Sequence, residues 1–303
     1  MFEVYFGQYL KEKNILSNEA LESAKAAMKS VRIKMGFLAV EAGYMSKDQA
    51  SKLNRLQTQV DKRFGDLAVE HGYLTEQQVA ELLKKQGNPY LQFLQTLTES
   101  NGLELDSLNA LLDEYAAENN FDDEDLDALK SGDIDRICHV MVRKLPVADA
   151  FKEYIGIVLR TLLRFIDRDV RIDHPKCVSS YQASAVARQD ITGEISVLTA
   201  FAGAAQGILA LASQYASEEF TEIDADSLDS VCEFLNVCNG LFVTAQEENG
   251  IELELCVPQI YPEDESESQV TIKTRELISI PLFVFGQPID LLVAYADQEI
   301  EVF

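Results

Sequence analysis

The chain is predicted to be α+β, an all-helical repeat domain followed by helices packed on an antiparallel sheet. Three observations carry this. One segment recurs at a constant period of 29 residues between positions 6 and 79. After residue 147 the apolar spacing changes from a helical period to a mixture of helical, alternating and β-branched stretches. Between them, residues 113–135 hold ten acidic side chains and one lysine. The expected division is a helical repeat domain over 1–112, an acidic linker over 113–145 and a second domain over 146–303, and 303 residues suit two domains.

The repeat aligns FGQYLKEKNILSNEAL from Phe6, MGFLAVEAGYMSKDQA from Met35 and FGDLAVEHGYLTEQQV from Phe64. Each copy reads as a short helix ended by Asn14, Gly43 or Gly72, residues that tolerate the left-handed conformation after a helix. An apolar pair follows, then Ser17, Ser46 or Thr75 as N-cap of a second helix. Gln49 and Gln78 stand three residues after the last two as capping-box partners. A degenerate fourth copy starts at Phe93, with Leu97, Glu99, Gly102 and Leu103 in nearly matching places.

The stretch RFGDLAVEHGYLTEQQVAELLKKQ, Arg63 to Gln86, resembles the 24-residue motif of the MshE N-terminal domain family, some of whose members bind cyclic di-GMP. Arg63, Gly65, Gly72, Leu74, Leu83 and Gln86 occupy the motif's places, and Lys34 to Gln57 is a looser preceding copy. The resemblance covers about residues 1–90. It implies nucleotide-binding residues at Lys34, Gly36, Gln57, Arg63, Gly65 and Gln86, with cyclic di-GMP as the ligand. The chain departs from the pattern at Lys34, which keeps the charge of arginine but not its planar fork. It departs again at Ala50 and Asn54, where the family prefers leucine, and in the first copy, which has Tyr5, Asn14 and Met28. The residues by themselves equally allow a helical docking module for another protein.

Within the acidic stretch, Phe121, Leu126, Leu129, Ile134 and Ile137 carry the spacing of a short helix. Pro146 suits the first turn of a new helix through VADAFKEYIGIVLRTLLRF. Strand character is read in RDVRID, ASAVARQ, GEISVLTAF, GIELELCVP, SQVTIKT and ISIPLFVF, with helices at about 202–215 and 226–246. The sequence GAAQG at 203–207 reads as small-residue packing. On the last helix Leu228, Val231, Cys232, Leu235, Cys238 and Phe242 share one face of a 3.6-residue period. Asp229, Glu233, Asn236 and Gly240 follow at steps of four, three and four and form a second, water-facing stripe. Asparagine and glycine are poor helix formers, so helix stability does not explain them there.

Composition narrows the partners. The chain is 47% hydrophobic and 25% charged, as in a soluble globular protein. The start lacks a basic leader and apolar core. The longest apolar run, 197–212, is sixteen residues broken by Gln206, too short to span a bilayer. Five cysteines form no CxxC pair and three histidines are scattered, so no metal-ligand spacing is present and a reduced cytoplasm is the expected address. Net charge is −25, unevenly spread: residues 1–86 carry 13 Lys and Arg against 11 Asp and Glu, and the other 217 residues hold −27. The 84 residues between Arg188 and Lys273 have 17 acidic side chains and no Lys or Arg. Such a surface repels nucleic acid and anionic lipid, so neither partner nor membrane insertion is expected.

The order GEISVLTAF, helix, acidic loop and DSLDSVCEFLNVCNG resembles the CheX/CheC family of chemotaxis phosphatases over about residues 147–300. The family signature is Asp or Ser, three residues, Glu, two residues, Asn and a Gly four later, which Asp229, Glu233, Asn236 and Gly240 fill. Pro258 follows with 21 intervening residues, one fewer than the pattern. The earlier long helix has Glu153 followed by Gly156 in place of Asn, which leaves one such helix per chain, the CheX arrangement, and implies a homodimer. The resemblance implies a phosphatase acting on the phosphoaspartate of a CheY-like response regulator, with no cofactor of its own and magnesium held by the partner. Asn236 would orient the attacking water and Glu233 would pair with a partner lysine, as catalytic residues. Asp229 and Gly240 would dock the partner, and the N-terminal repeats would regulate or localise the domain. The alternative is a non-catalytic signalling adaptor or a cyclic di-GMP-responsive binding protein.

Overall fold

The structure, a computed structural model, describes residues 1–28, 30–57, 59–60, 62–261 and 270–295, and the backbone of 301–302. The chain forms two compact units, one over Phe2–Ile137 and one from Cys138 onward.

The first unit is helical: α1 (Phe2–Glu12), α2 (Asn18–Met28), α3 (Met35–Glu41), α4 (Lys47–Gln57), α5 (Phe64–Glu70), α6 (Glu76–Lys84), α7 (Pro89–Asn101), α8 (Leu105–Glu118) and α9 (Asp123–Ser131), with α10 (Ile134–Arg143) carrying the boundary. The repeat signals work as expected. Asn14, Gly43 and Gly72 take φ of 58°, 71° and 69°, ending α1, α3 and α5. Ser46 with Gln49 and Thr75 with Gln78 make reciprocal capping boxes at α4 and α6, while Ser17 caps α2 by accepting from the Ala20 N–H.

A second glycine register explains why the paired helices pack closely. A Cβ on Gly7 would meet the Leu21 side chain, one on Gly36 would meet Ala50 at 3.6 Å, and one on Gly65 would meet Val79 at 3.0 Å. In each case the neighbour lies fourteen residues on, in the second helix of the same repeat. The core of the unit is aromatic, with α1 laid against α7 and α8 through Phe2–Tyr90, Phe6–Tyr115 and Tyr9–Tyr115 at 4.9, 5.8 and 5.0 Å.

The region 113–145, read as an acidic linker with a short helix inside it, is helical over most of its length. It holds the end of α8, all of α9 and all of α10, and buries Tyr115, Ala116, Ala128 and Leu129. Its acidic residues fall on exposed faces or serve as caps: Asp122 and Asp125 form the capping box of α9. The compact units meet at 137/138, eight residues before the expected boundary.

The second unit contains α11 (Asp149–Phe165), β1 (Arg171–Ile172), β2 (Lys176–Ala183), β3 (Ala185–Gly193), β4 (Val197–Gly203), α12 (Ala205–Ala216), α13 (Ala225–Glu248), β5 (Leu253–Leu255), β6 (Gln259–Tyr261), β7 (Val270–Val284), β8 (Gln287–Tyr295) and β9 (Glu301–Val302). All pairings are antiparallel, in the order β1-β7-β8-β4-β3-β5. Strand β2 also pairs with β7, β6 with β3 and β9 with β7. The α+β expectation holds in both halves. SQVTIKT and ISIPLFVF are one strand, β7, of fifteen residues, apart from Ser268 and Gln269, which lie outside the described residues. Strands β2, β6, β8 and β9 were not expected. β8 is a central strand buried on both faces from Leu291 to Ala294, so its apolar run shows no alternation.

The strand period sorts the sheet into two faces. Ala183, Val186, Leu198, Ala200, Ala202, Val270, Ile272, Leu277, Leu292 and Ala294 form one buried cluster drawn only from strands. The other face, including Gln189, Thr199 and Phe201, meets the helices. Small-residue packing seats α12: a Cβ on Gly207 would run into the Pro288 carbonyl oxygen of β8. Gly207→Ala is therefore expected to destabilise the fold by about 1–3 kcal/mol, read as a lower midpoint in denaturant. An unchanged midpoint would show that α12 does not need this close approach.

Candidate functional site

Helix α13 is 24 residues long and opens with a capping box between Asp224 and Ser227. Leu228, Val231, Cys232, Leu235, Cys238 and Phe242 are all buried, joined by Phe234, which packs against Phe201 of β4 and Tyr215 of α12. Asp229, Glu233 and Asn236 are exposed and Gly240 is half-exposed, so the stripe faces water as the spacing requires. A Cβ on Gly240 would meet nothing within 4 Å. Val237 and Leu241 flank the stripe, 40% and 49% exposed, adding an apolar rim.

Beneath the stripe lies a polar cluster that sequence reasoning did not find. Asn239 is fully buried on the apolar face of α13. Its Oδ1 accepts from the Tyr154 hydroxyl of α11 at 2.7 Å. Its Nδ2 donates to Gln189 Oε1 of β3 and to Thr199 Oγ1 of β4, both at 2.9 Å. The Thr199 hydroxyl donates to the Gln189 carbonyl oxygen at 2.5 Å. Gln189, 2% exposed, then donates from Nε2 to Asn236 Oδ1 at 2.8 Å and to the Cys256 carbonyl oxygen at 2.9 Å. The available signal was the position of Asn239, four residues after Leu235 and three before Phe242. An asparagine at a core position requires several internal partners.

Burial also sets the chemistry of the neighbouring groups. It pushes the Tyr154 phenol well above its ordinary range, so this residue stays a donor. Burial, helped by the Asp229 carboxylate, pushes the Cys232 thiol up to about 12, and burial pushes Cys238 up to about 12. Tyr215 is raised by burial and by the Glu233 charge nearby. Glu153 of α11 accepts from Gln246 of α13 at 2.8 Å, which ties the two helices together.

Residues 185–283 match the family model of chemotaxis phosphatase CheX. This CheX-matched segment runs from β3 through most of β7 and contains the whole of α13. The chain is similar to a solved chemotaxis protein CheX from Desulfovibrio desulfuricans, at 17% identity and a TM-score of 0.42, over 49% of this chain and 99% of that one. It is also similar to a CheX-CheY-BeF3-Mg complex from Borrelia burgdorferi, at 17% identity and 0.38, over 48% and 97% of the two chains. A third likeness is to Thermotoga maritima FliY, at 17% identity and 0.34, over 48% and 85%. No curated protein matches the sequence. Among the described residues no helix is long and apolar enough to cross a membrane, and no group of three or more His, Cys, Asp or Glu is placed to hold a metal ion.

The six residues expected around a nucleotide in the helical unit are partly brought together. Lys34, Gly36, Gln57 and Gln86 line one cavity of about 500 Å³ with Arg32, Asn54 and Phe64, while Arg63 and Gly65 do not line it. Gly65 packs against Val79, and Arg63 is the residue before α5. Several lining groups are already bonded within the unit. Gln57 and Gln86 donate to the carbonyl oxygens of Lys62 and Ile33, Arg32 donates to Gln86 Oε1 at 3.2 Å, and Lys34 pairs with Glu99 at 2.9 Å.

The raised thiols give a direct check. At mildly alkaline pH Cys232 and Cys238 carry almost no thiolate, and thiol reagents attack the thiolate. The exposed Cys177 is expected to label in the folded protein while Cys232 and Cys238 label only after unfolding, as read by peptide mass mapping. Rapid labelling of Cys238 in the native state would contradict its burial.

Proposed function

We propose that the second unit hydrolyses the phosphoaspartate of a CheY-like response regulator. The observation that carries this reading is the exposed Glu233 and Asn236 pair, one helical turn apart on α13, inside the segment that matches the CheX family model. In the reaction, water attacks the phosphorus, the bond to the aspartyl oxygen breaks, the carboxylate leaves with its electron pair and inorganic phosphate is released. Such transfers depend on positioning and charge stabilisation more than on covalent catalysis. Asn236 takes the role of orienting the water through its amide. Glu233 takes the role of pairing with a lysine of the partner. Asp229 and Gly240 dock the partner, the first by charge and the second by leaving room for close approach. The reaction needs no cofactor of this chain, and magnesium belongs to the phosphorylated substrate.

The charge pattern supports a basic partner surface. From Gln189 to Ile272 the chain has no cation, so Asp229 and Glu233 are not neutralised from within this stretch. The low thiolate content of Cys232 and Cys238 argues against a cysteine nucleophile beside the stripe.

Wild-type protein is expected to accelerate phosphoryl loss from a radiolabelled CheY-like regulator, and Asn236→Ala to lower that rate by about 100-fold with binding retained. Glu233→Ala should weaken binding as well. Equal decay with and without protein, while the regulator binds, would make α13 a docking face and this chain an adaptor.

We also propose that the cavity around Lys34 admits cyclic di-GMP as a regulator. The support is the convergence of Arg32, Lys34, Gln57 and Gln86 on one space of about 500 Å³. Isothermal titration should then give saturable binding that Arg32→Ala with Lys34→Ala removes, because both cations face anionic phosphates. Heat that never saturates would leave the repeats as a protein-docking module.

A further inference from the structure

The amide of Asn236 is symmetric in shape and opposite in chemistry at its two ends: one oxygen accepts and one nitrogen donates. Which end faces outward decides whether Asn236 offers a partner donors or an acceptor. We infer that Gln189 is a positioning residue that holds Asn236 with its oxygen inward and its N–H groups outward. The inference rests on the phosphatase reading for its catalytic consequence.

The orientation follows from a chain of bonds whose polarity has one consistent solution. The Cys256 carbonyl oxygen can only accept, so the Gln189 end that meets it is Nε2 and the end that meets Asn239 is Oε1. Asn239 Nδ2 must then be the end that meets Thr199 and Gln189. The Thr199 hydroxyl lies 2.5 Å from the Gln189 carbonyl oxygen and 3.3 Å from Asn239 Oδ1; its one proton serves the shorter contact, and its lone pairs accept from Asn239 Nδ2. Gln189 Oε1 is thus taken up by Asn239, and Nε2 points the other way. Its two protons meet two acceptors, the Cys256 carbonyl oxygen and Asn236 Oδ1. Reversing the Gln189 amide would set nitrogen against nitrogen at Asn239 and oxygen against a carbonyl at Cys256. In a site this buried each mismatch carries a large desolvation cost.

The consequence reaches the surface. Asn236 is exposed, yet one end of its amide is tied to a side chain that is itself 2% exposed and fully bonded. A free surface asparagine samples both orientations about its last torsion, which is broad and two-fold. Here the donor end is selected before any partner arrives, the arrangement required for a group that must hold a water or phosphoryl oxygen without reorganising.

The test uses the full chain. In the wild type, side-chain ¹⁵N relaxation of Asn236, assigned by its loss in Asn236→Asp, should show an amide nearly as ordered as the backbone. Gln189→Met keeps the length of the side chain and removes both polar atoms. It should free the Asn236 amide and lower kcat on a radiolabelled phosphorylated CheY-like regulator by about 10-fold or more, with KM within about two-fold. A mobile Asn236 amide in the wild type overturns the inference without any variant, so a Gln189→Met protein that fails to fold does not shield it. Full kcat in a folded Gln189→Met also overturns it. Failure of the wild type to accelerate phosphoryl loss overturns the phosphatase reading instead, and the relaxation measurement then decides alone whether Gln189 orients Asn236.

Discussion

The C-terminal unit depends on one buried asparagine. Asn239 has no exposure to water, so its amide must be satisfied by the protein, and its partners come from three elements: Tyr154 of α11, Gln189 of β3 and Thr199 of β4. Apolar contacts alone would let α13 roll on the sheet at little cost, because hydrophobic burial has no direction. A fully bonded amide does not permit that, since a small rotation breaks several bonds together and strands their partners. The helix is therefore set in rotation as well as in depth. That setting turns Asp229, Glu233, Asn236 and Gly240 toward water.

The register of the sheet is part of the same constraint. Gln189 and Thr199 are paired directly across β3 and β4, so both present side chains to α13 on one face. A slip of one residue in either strand would send its polar residue into the strand-only cluster around Leu198 and Ala200. The close seat of Gly207 on Pro288 supports β8 from the same side, and β8 in turn pairs with β4 at Val293 opposite Thr199. Strand pairing, helix rotation and the exposed stripe are thus different consequences of one set of contacts.

What was legible in the sequence follows the range over which each signal acts. Local signals read well: the left-handed residues Asn14, Gly43 and Gly72, the capping boxes at Ser46 and Thr75, and the apolar face of α13 all depend on a few neighbouring positions. The α13 stripe could be read for the same reason, because four positions on one helix fix a face. At 113–145 the apolar spacing marks a helix, but charge hides how much of the stretch is helical. Asp122, Asp123, Glu124 and Asp125 look like a solvated linker by composition, yet acidic residues also suit the first turn of a helix, where α9 uses them. β8 was missed because a strand buried on both faces has no alternating period. Gln189 could not be found at all by pattern, since its meaning comes from Asn236, 47 residues away, and Cys256, 67 residues away.

The polar layer also bears on why a reaction of the proposed kind would use an asparagine at position 236 and not a more reactive side chain. An amide carries no net charge, so holding it still adds no charge repulsion against an anionic phosphoryl group, whereas a carboxylate there would. Its weakness is the freedom to present either end. Gln189 removes that freedom from below, and Gln189 is itself held by Asn239 and by the Cys256 backbone. The buried layer therefore supplies stability to the fold and direction to the surface with the same hydrogen bonds. A substitution that disturbs the layer without unfolding the unit is expected to act on orientation first, because Asn236 stands at its exposed end, with one bond to it from Gln189, while Asn239 is held from three elements.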